Sequence, residues 1–289
     1  MKQVSVLINP ASGSANPLAV RAAVEKAFKP NHWRVTVHEL KKTDTIAAFV
    51  QGVDLAIACG GDGTVSLVAD ALVGTSTMLG IIPGGTANVL AHELSIPFDP
   101  VSACQLYAGR HQVRVIDAMK VGKRHYFLDI SIGVKSLAIN DTKRATKKRF
   151  GMLAYLWNGA RWLIKMHRRS YRLTVDGHAH DIKASEVDVA NGSIMGQALF
   201  TYGDHVHPDD GVINLCIVRT ARIEKYAQVF LHALRVVPAR SPDVVYYDAS
   251  RAISIETDRP IPVQADGEMI GTTPVDLIVV PHAVRFITG

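Results

Sequence analysis

The stretch Cys59-Gly60-Gly61-Asp62-Gly63-Thr64 decides how this chain is organised. It ends a short apolar run, Leu55 to Cys59, and precedes apolar residues at helical spacing. Three glycines within four positions let main-chain N–H groups approach a ligand closely, and the helix that follows adds the positive end of its dipole. The stretch therefore predicts a strand-to-helix turn that binds an anion such as phosphate.

Asp62 is the unusual member of this turn. A carboxylate repels phosphate unless a divalent metal ion or a proton lies between the two groups, so Asp62 favours metal-assisted phosphate chemistry. The alternative is that Asp62 only caps a helix at a tight turn. Both interpretations stay open at the level of the sequence.

Composition indicates a globular protein with a substantial core. The chain has 289 residues, of which 48% are hydrophobic, enough for one large domain or two of ordinary size. Its 32 basic and 26 acidic residues give a net charge of +6, which suits an acidic partner such as a nucleotide or an anionic membrane surface.

The three cysteines, Cys59, Cys104 and Cys216, are far apart and lie in apolar surroundings. We therefore expect buried free thiols and a cytoplasmic location. The first apolar run is too short for a signal-peptide core, and no apolar stretch in the sequence reaches the roughly 18 residues that span a bilayer. Any membrane contact is expected to be peripheral.

The first part of the chain alternates strand, turn-rich loop and helix. Strands are predicted at 4–8, 33–40, 55–59 and 79–82, and loops rich in small residues follow three of them, at Asn9 to Gly13, Gly60 to Thr64 and Gly84 to Asn88. Such alternation is typical of a parallel sheet with flanking helices, and ligands bind outside the carboxyl ends of its strands. We therefore predict a site for several phosphates where the three loops meet.

From about Val113 the pattern changes to strands. They are predicted at 113–121, 125–132, 171–175, 186–191, 212–218, 252–257, 262–265, 275–280 and 283–287, with helices near 143–166 and 223–236. Asp176-Gly177 and Asp266-Gly267 are predicted hairpin turns, so this half reads as an antiparallel sandwich or open barrel. We predict a nucleotide-binding α/β domain at 1–118, to which the last few residues of the chain can return, and a β-sandwich domain for the acceptor at 119–289.

Four motifs in this order resemble the diacylglycerol kinase catalytic family, especially its bacterial soluble lipid kinases, which are related to sphingosine kinases. They are Asn9-Pro10-x-Ser12-Gly13, Gly60-Gly61-Asp62-Gly63-Thr64, Gly84-Gly85-Thr86-Ala87-Asn88 and Asp266-Gly267-Glu268. Pro208-x-Asp210-Gly211 and the region of Asp117 fit the same spacing, so the resemblance covers nearly the whole chain. It implies an NAD-kinase-like first domain that binds ATP, use of Mg²⁺, and a lipid hydroxyl as acceptor.

The resemblance also implies roles for single residues. Glu268 would take the proton from the attacking hydroxyl with Asp266 beside it, or stand only as an exposed hairpin residue, and Asp62 would face a catalytic Mg²⁺. Whether Asp62 or Glu268 is the principal base stays open. The nucleotide phosphates would be held by Asn9, Gly60, Gly61, Asp62, Gly63, Thr64, Gly85 and Thr86.

A second ion position is implied at Asp210, with main-chain carbonyls near His207 and Val212; an oxygen-only shell fits Mg²⁺ or Ca²⁺. The alternative is an ordinary Asp-Gly turn. One departure concerns the end of the second strand, where the family often has a threonine and this chain has Leu40, with Thr43 nearby. No role is assigned in that loop.

The segment from Lys143 to Arg169 is basic at both ends and apolar with aromatics between them. It fits either an amphipathic helix that lies on an anionic membrane or a core helix with solvated basic ends.

These features predict an ATP-dependent lipid kinase that transfers the γ-phosphoryl group to a hydroxyl of a diacylglycerol-like or sphingoid lipid at an anionic membrane surface. We expect no nucleic-acid partner, and a homodimer is compatible with the sequence. One alternative is an NAD-kinase-like enzyme with a polar acceptor, against which stand the Asn9 to Gly13 loop and the basic aromatic segment. The other is a catalytically silent nucleotide sensor, against which stand Asp62 and Glu268.

Overall fold

The computed structural model describes residues 1–12, 16–41, 43–137, 167–195, 200–202, 205–222, 224–225 and 241–289. The helix predicted at 143–166, and nearly all of the one predicted at 223–236, lie outside these residues. The chain forms two compact units. Unit 1 comprises Met1–Ala118, Ile194–Leu199 and Pro281–Gly289, and unit 2 comprises Met119–Ser193 and Phe200–Val280.

Unit 1 is built on a parallel sheet. Its strands β1 (Gln3–Ile8), β2 (Arg34–Glu39), β3 (Leu55–Gly60) and β4 (Met78–Pro83) lie in the order β2-β1-β3-β4. Every residue of β3 and all but the first of β1 are buried, so both faces of the sheet are covered. The helices are α1 (Pro17–Phe28), α2 (Ile46–Val50), α3 (Asp62–Leu72), α4 (Val89–Glu93) and α5 (Pro100–Ala108), with a short 3₁₀ helix at Lys29–Asn31.

Helix α5 is absent from the sequence prediction, although its start carries a recognisable signature. Asp99 is the N-cap and its carboxylate accepts the Ser102 N–H at 2.8 Å, while Pro100 occupies the first helical position. The four predicted strands of this half are present, with ends that differ by at most one residue.

Unit 2 is built from antiparallel strands. The strands from residue 112 onward are β5 (Gln112–Val121), β6 (Arg124–Tyr126), β7 (Asp129–Gly133), β8 (Arg169–Val175), β9 (His178–Ala184), β10 (Glu186–Ala190), β11 (Ile194–Met195), β12 (Phe200–Thr201), β13 (Ile213–Val218), β14 (Val244–Ala249), β15 (Ala252–Thr257), β16 (Pro262–Ala265), β17 (Glu268–Thr272) and β18 (Val275–Thr288). One six-stranded sheet has the order β14-β13-β10-β7-β16-β17, and elsewhere β15 pairs with β18 and β8, and β8 with β9.

The predicted fold class is confirmed: a parallel α/β domain is followed by an antiparallel β domain. The two hairpin turns are also confirmed, because Asp176-Gly177 and Asp266-Gly267 have positive φ at both positions and join paired strands. Cys59, Cys104 and Cys216 are buried free thiols, as expected. Among the described residues, no helix is both long and apolar enough to cross a membrane.

Several strand boundaries differ from the prediction. The single strand predicted at 125–132 is interrupted, because the main chain at Phe127 and Leu128 turns to donate its N–H groups to Asp266. The two strands predicted at 275–280 and 283–287 are one strand, β18. Strand β9 was not predicted because it is an edge strand whose partner is β8, and its sequence is largely polar and exposed.

Tyr107 ties α5 to the sheet of unit 1. Its hydroxyl accepts the Ile81 N–H at 2.8 Å and donates to the Ile81 carbonyl. Its ring is fully buried against Gly80, where an added Cβ would lie 2.9 Å from a ring carbon. Ile81 lies beyond the part of β4 that pairs with Arg285 and Phe286 of β18. At Ile81, the Tyr107 hydroxyl therefore provides the hydrogen bonds that a neighbouring strand would otherwise supply.

Replacing Tyr107 with Phe is expected to lower the free energy of unfolding by about 1–3 kcal/mol, because the buried amide of Ile81 loses its partner. Urea denaturation measures this change. The matched control is Tyr247→Phe, since the Tyr247 hydroxyl makes no hydrogen bond among the described residues, and it should change stability by about 0.5 kcal/mol or less. Equal losses for the two variants would show that the Tyr107 hydroxyl has no special role.

Candidate phosphate-binding site

The three predicted loops meet at the carboxyl ends of β1, β3 and β4. Asn9, directly after β1, donates its main-chain N–H to the Cys59 carbonyl at 2.9 Å and its side-chain amide to Thr64 Oγ1 at 2.8 Å. The Gly84 N–H, after β4, donates to the Gly60 carbonyl at 2.8 Å. The predicted convergence of the loops is therefore confirmed for their described residues; Gly13 lies outside them.

The two glycine turns touch through their main chains. A Cβ added to Gly85 would lie 2.4 Å from the Cα of Gly61, and one added to Gly61 would lie 3.0 Å from the Cα of Gly85. A Cβ on Gly60 would lie 2.6 Å from Thr64 Oγ1. These three glycines are thus required for close packing of the turns, and not only for access of a ligand to the main chain.

The first turn of α3 presents main-chain N–H groups at this edge. Its N-cap residue is Gly61, which has no side chain to accept the first amides of the helix. Gly63 is exposed in that first turn, whereas Thr64 is buried and its hydroxyl accepts the Asn9 amide. A helix start with this geometry favours binding of an anion.

The second glycine turn is held closed by Asn88. The Asn88 side chain accepts the Gly85 N–H at 2.8 Å and donates to the Gly85 carbonyl at 2.9 Å, and its own main chain has φ +49°. Asparagine tolerates this left-handed conformation better than most residues. Thr86 consequently stands exposed at the tip of a rigid turn.

The Asp62 carboxylate faces the start of α4. Its Oδ1 accepts the Leu90 N–H at 3.4 Å. Burial raises the pKa of the Asp62 carboxyl, and the main-chain amides of Leu90, Val89 and Asn88 partly offset this rise. Asp62 therefore links the two glycine turns by capping the helix that follows the second one, and its role toward a metal ion stays a prediction.

In unit 2, the Asp266-Gly267-Glu268 turn is held by its first residue. The Asp266 carboxylate is 8% exposed and accepts the main-chain N–H groups of Phe127 at 2.9 Å, Leu128 at 2.9 Å and Asp129 at 3.3 Å. These contacts give Asp266 a positioning role in the turn, and its participation in catalysis stays a prediction.

Glu268 is the accessible carboxylate of this turn. Its side chain is 56% exposed and lies 3.6 Å from the guanidinium of Arg124, a separation at which an exposed ion pair contributes little to stability. Glu268 is therefore available to a substrate hydroxyl, as its predicted role requires.

The predicted ion position depends on the carboxylate of Asp210. Asp210 is exposed and its Oδ1 accepts the Val212 N–H at 2.9 Å, as in an Asx turn, and His207 is exposed as well. Where the structure describes side chains, no group of three or more His, Cys, Asp or Glu could hold a metal ion. An ion here would depend on Asp210 and main-chain carbonyl oxygens, a donor set that fits Mg²⁺ or Ca²⁺.

A polar cluster in unit 2 was missed by the sequence prediction. The Lys135 ammonium contacts the Asp129 carboxylate, lies 3.2 Å from the Tyr202 hydroxyl and 3.7 Å from Asp188 Oδ1. The available signal was the alternation in Asp129-Ile130-Ser131-Ile132 and Glu186-Val187-Asp188-Val189, which places acidic residues on one face of two strands.

Two family models match the chain, one in each half. Residues 3–121 match the model described as the diacylglycerol kinase catalytic domain. Residues 129–288 match the model described as the YegS C-terminal NAD kinase beta sandwich-like domain, which alone covers more than half of the chain.

Individual relatives agree with the family models. The chain is 29% identical over 239 residues to an uncharacterized protein of Synechocystis sp., a match that covers 81% of this chain and 55% of that protein, so the chain spans about half the length of this relative. It is 25% identical over 242 residues to a Staphylococcus aureus protein named "putative lipid kinase", which covers 83% of this chain and 79% of that protein.

Solved structures show the same fold. A Bacillus anthracis protein described as "a putative diacylglycerol kinase" aligns with a TM-score of 0.80 at 23% identity, over 100% of this chain and 97% of that one. Another from the same organism aligns with a TM-score of 0.79 at 24% identity, over 100% and 98% of the two chains. At these identities the likeness concerns the fold alone.

Replacing Gly85 with Ala should disrupt the contact between the two turns, because the new methyl group has no room beside the Gly61 main chain. We expect the free energy of unfolding of unit 1 to fall by about 1–3 kcal/mol, measured by urea denaturation. Thr86→Ala in the same turn, which adds no atoms and changes an exposed side chain, serves as the control. Similar stability of the Gly85→Ala variant and the wild type would contradict the close packing described here.

Proposed function

Since the chain belongs to the family that joins a diacylglycerol kinase catalytic domain to a YegS-type C-terminal domain, we propose that it is an ATP-dependent lipid kinase. It would transfer the γ-phosphoryl group of ATP to a hydroxyl of a diacylglycerol-like or sphingoid lipid at a membrane surface. The observation that supports this most directly is the meeting of three small-residue loops at one edge of the parallel sheet of unit 1.

The nucleotide would bind through main-chain groups of unit 1. Gly61 and Gly63 would offer main-chain N–H groups to phosphate oxygens, and the start of α3 would add its dipole. Gly60, at the buried end of β3, and Gly85, packed against Gly61, would support the turns. Asn9 and Thr64 would act indirectly, because their hydrogen bond to each other braces the loops. Thr86 would contact the nucleotide directly from the exposed tip of its turn.

The transfer itself requires one proton acceptor and neutralisation of phosphate charge. The acceptor oxygen would attack the γ-phosphorus as its proton passes to the Glu268 carboxylate, and the bond from the γ-phosphorus to the bridging oxygen of ADP would break. Asp62 offers carboxylate oxygen beside the phosphate-binding turns, a donor that fits Mg²⁺. That ion would supply neutralisation of the phosphate charge that develops during transfer.

A second divalent ion is proposed at Asp210 with main-chain carbonyls near His207 and Val212. Because Asp210 lies in a turn that leads directly into β13, an ion here would order the start of a buried strand. Its role would therefore be structural.

The acceptor can be identified by incubating the protein with ATP, Mg²⁺ and a total bacterial lipid extract, followed by mass spectrometry. We expect one lipid class to gain the mass of a phosphoryl group, and no gain without ATP. A parallel incubation with NAD distinguishes the rival function: phosphate that appears only in NADP would contradict the lipid kinase proposal.

Replacing Glu268 with Gln should lower kcat by about 10²- to 10⁴-fold, because the amide cannot accept the proton of the attacking hydroxyl. ATP binding, measured by calorimetry, should stay near that of the wild type, since Glu268 is assigned to the acceptor. Glu256→Gln, which makes the same change at an exposed position of β15, is the control and should keep full activity. Full turnover of Glu268→Gln would remove Glu268 as the base.

A further inference from the structure

Gln264 is a buried polar residue near the end of β16. The six-stranded sheet of unit 2 has one apolar face, to which Ile130 and Ile132 belong, and the alternate residues of its strands lie on the other face. There Gln264 stands opposite Ser131 of β7 and is fully buried. A buried amide is unfavourable unless both of its ends have hydrogen-bond partners, so the partners of Gln264 matter for the stability of this sheet.

The side-chain amide of Gln264 has one possible orientation. Its Nε2 donates to Asp129 Oδ2 at 3.0 Å, and its Oε1 accepts the Gly267 N–H at 2.7 Å. An ionised carboxylate only accepts hydrogen bonds and a main-chain N–H only donates them, so the reversed amide would lose both contacts. Gln264 therefore joins Asp129 to the turn that carries Glu268.

Asp129 is itself held in place on several sides. Its carboxylate contacts the Lys135 ammonium and accepts the Tyr202 hydroxyl at 3.4 Å. Its main-chain carbonyl accepts the Asp266 N–H at 3.0 Å, and its main-chain N–H donates to the Asp266 carboxylate at 3.3 Å. Because Asp129 is fixed in this way, the side chain of Gln264 can transmit that fixed position to the turn.

The hairpin itself supplies no partner for the Gly267 amide. Asp266 and Gly267 are the two loop residues between the paired residues Ala265 and Glu268, and their φ angles are +46° and +79°. In a two-residue turn of this kind the flanking residues make the hydrogen bond that closes the hairpin, so the N–H of the second loop residue lies outside the ladder. Gln264 satisfies this N–H, on the residue that directly precedes Glu268.

We propose that Gln264 is a positioning residue for the base Glu268. By holding the Gly267 amide next to the ion pair of Asp129 and Lys135, it fixes the main chain that carries the Glu268 carboxylate. The inference rests on the proposed kinase function. Contacts of the Glu268 side chain hold it only weakly, because it is 56% exposed and its ion pair with Arg124 spans 3.6 Å. Its placement therefore depends on the turn.

The first test is Gln264→Met, which keeps the size of the side chain and removes both hydrogen bonds. The rate of phosphoryl transfer, measured with ATP, Mg²⁺ and vesicles of total bacterial lipid extract, should fall by about 10- to 100-fold, as expected for a misplaced catalytic group. The KM for ATP should stay unchanged. An unchanged rate in the folded variant, together with a reduced rate in Glu268→Gln, would overturn the proposal.

The matched control is Thr273→Val, at the other end of the same hairpin. It removes a buried hydroxyl that accepts the Ile261 N–H at 3.0 Å. Urea denaturation should show a loss of stability in Thr273→Val and in Gln264→Met, because each removes a buried hydrogen-bond partner. Only Gln264→Met should lose transfer rate. Equal loss of rate in the two folded variants would reduce Gln264 to a structural residue and overturn the proposal.

A double variant tests whether Gln264 acts through Glu268. When Gln264→Met is added to Glu268→Gln, the residual rate should fall by less than about twofold, because a base that has been removed can no longer be misplaced. Radiolabelled ATP makes the residual rate measurable. A further loss of about tenfold or more would show that the two residues act independently, which contradicts the proposal.

Amide hydrogen exchange tests the contact without any enzymatic activity. The Gly267 N–H should exchange about tenfold faster in folded Gln264→Met than in the wild type, as expected for the loss of one hydrogen bond. Unchanged exchange at Gly267 would overturn the proposal whatever the enzyme phosphorylates. Absence of transfer by the wild type, in contrast, contradicts the kinase function, and the exchange result then decides alone whether Gln264 holds the turn.

Discussion

The contact between the main chains of Gly61 and Gly85 is the constraint on which the rest of unit 1 depends. A methyl group added to Gly85 would lie 2.4 Å from the Cα of Gly61, so no other residue fits at Gly85 without moving one of the turns. The Gly84 N–H bond to Gly60 continues the pairing of β3 and β4 past the ends of the strands, so the two turns form an extension of the sheet. The geometry of the site is consequently set by main-chain atoms, and side chains such as Asn9 and Asn88 brace it.

The local features of unit 1 could be predicted from its sequence, whereas the contacts between residues far apart in the chain could not. The loops were predictable because turn residues and buried strands alternate along the chain, and the carboxyl ends of adjacent parallel strands must meet. The target of the Asp62 carboxylate was not predictable: it accepts an amide 28 residues away, and which helix start it faces depends on the packing of the two turns. The sequence therefore left open whether Asp62 caps a helix or faces a metal ion, and its role toward a metal ion stays a prediction.

The same distinction applies to unit 2. The Asp-Gly turns were evident from two adjacent residues, whereas the interruption between β6 and β7 arises from Asp266, which is more than 130 residues distant in sequence. The polar cluster depends on strand register, since Ser131, Asp188 and Gln264 become neighbours only when three strands pair in one alignment. Register is specified where one face of a sheet is buried, and here the apolar face supplies that specification.

Because the apolar face fixes the register, the other face can carry groups that are unfavourable for folding. Asp188 and Ser131 add buried polar atoms that have no hydrogen-bond partner among the described residues, and such atoms reduce stability. The Asp266 turn shows the opposite arrangement, since each of three main-chain amides is matched to a carboxylate oxygen. Two carboxylates in one unit thus differ: Asp266 is satisfied by main-chain amides and holds a turn in place, whereas Asp188 is buried beside Lys135 with one oxygen that has no hydrogen-bond partner among the described residues.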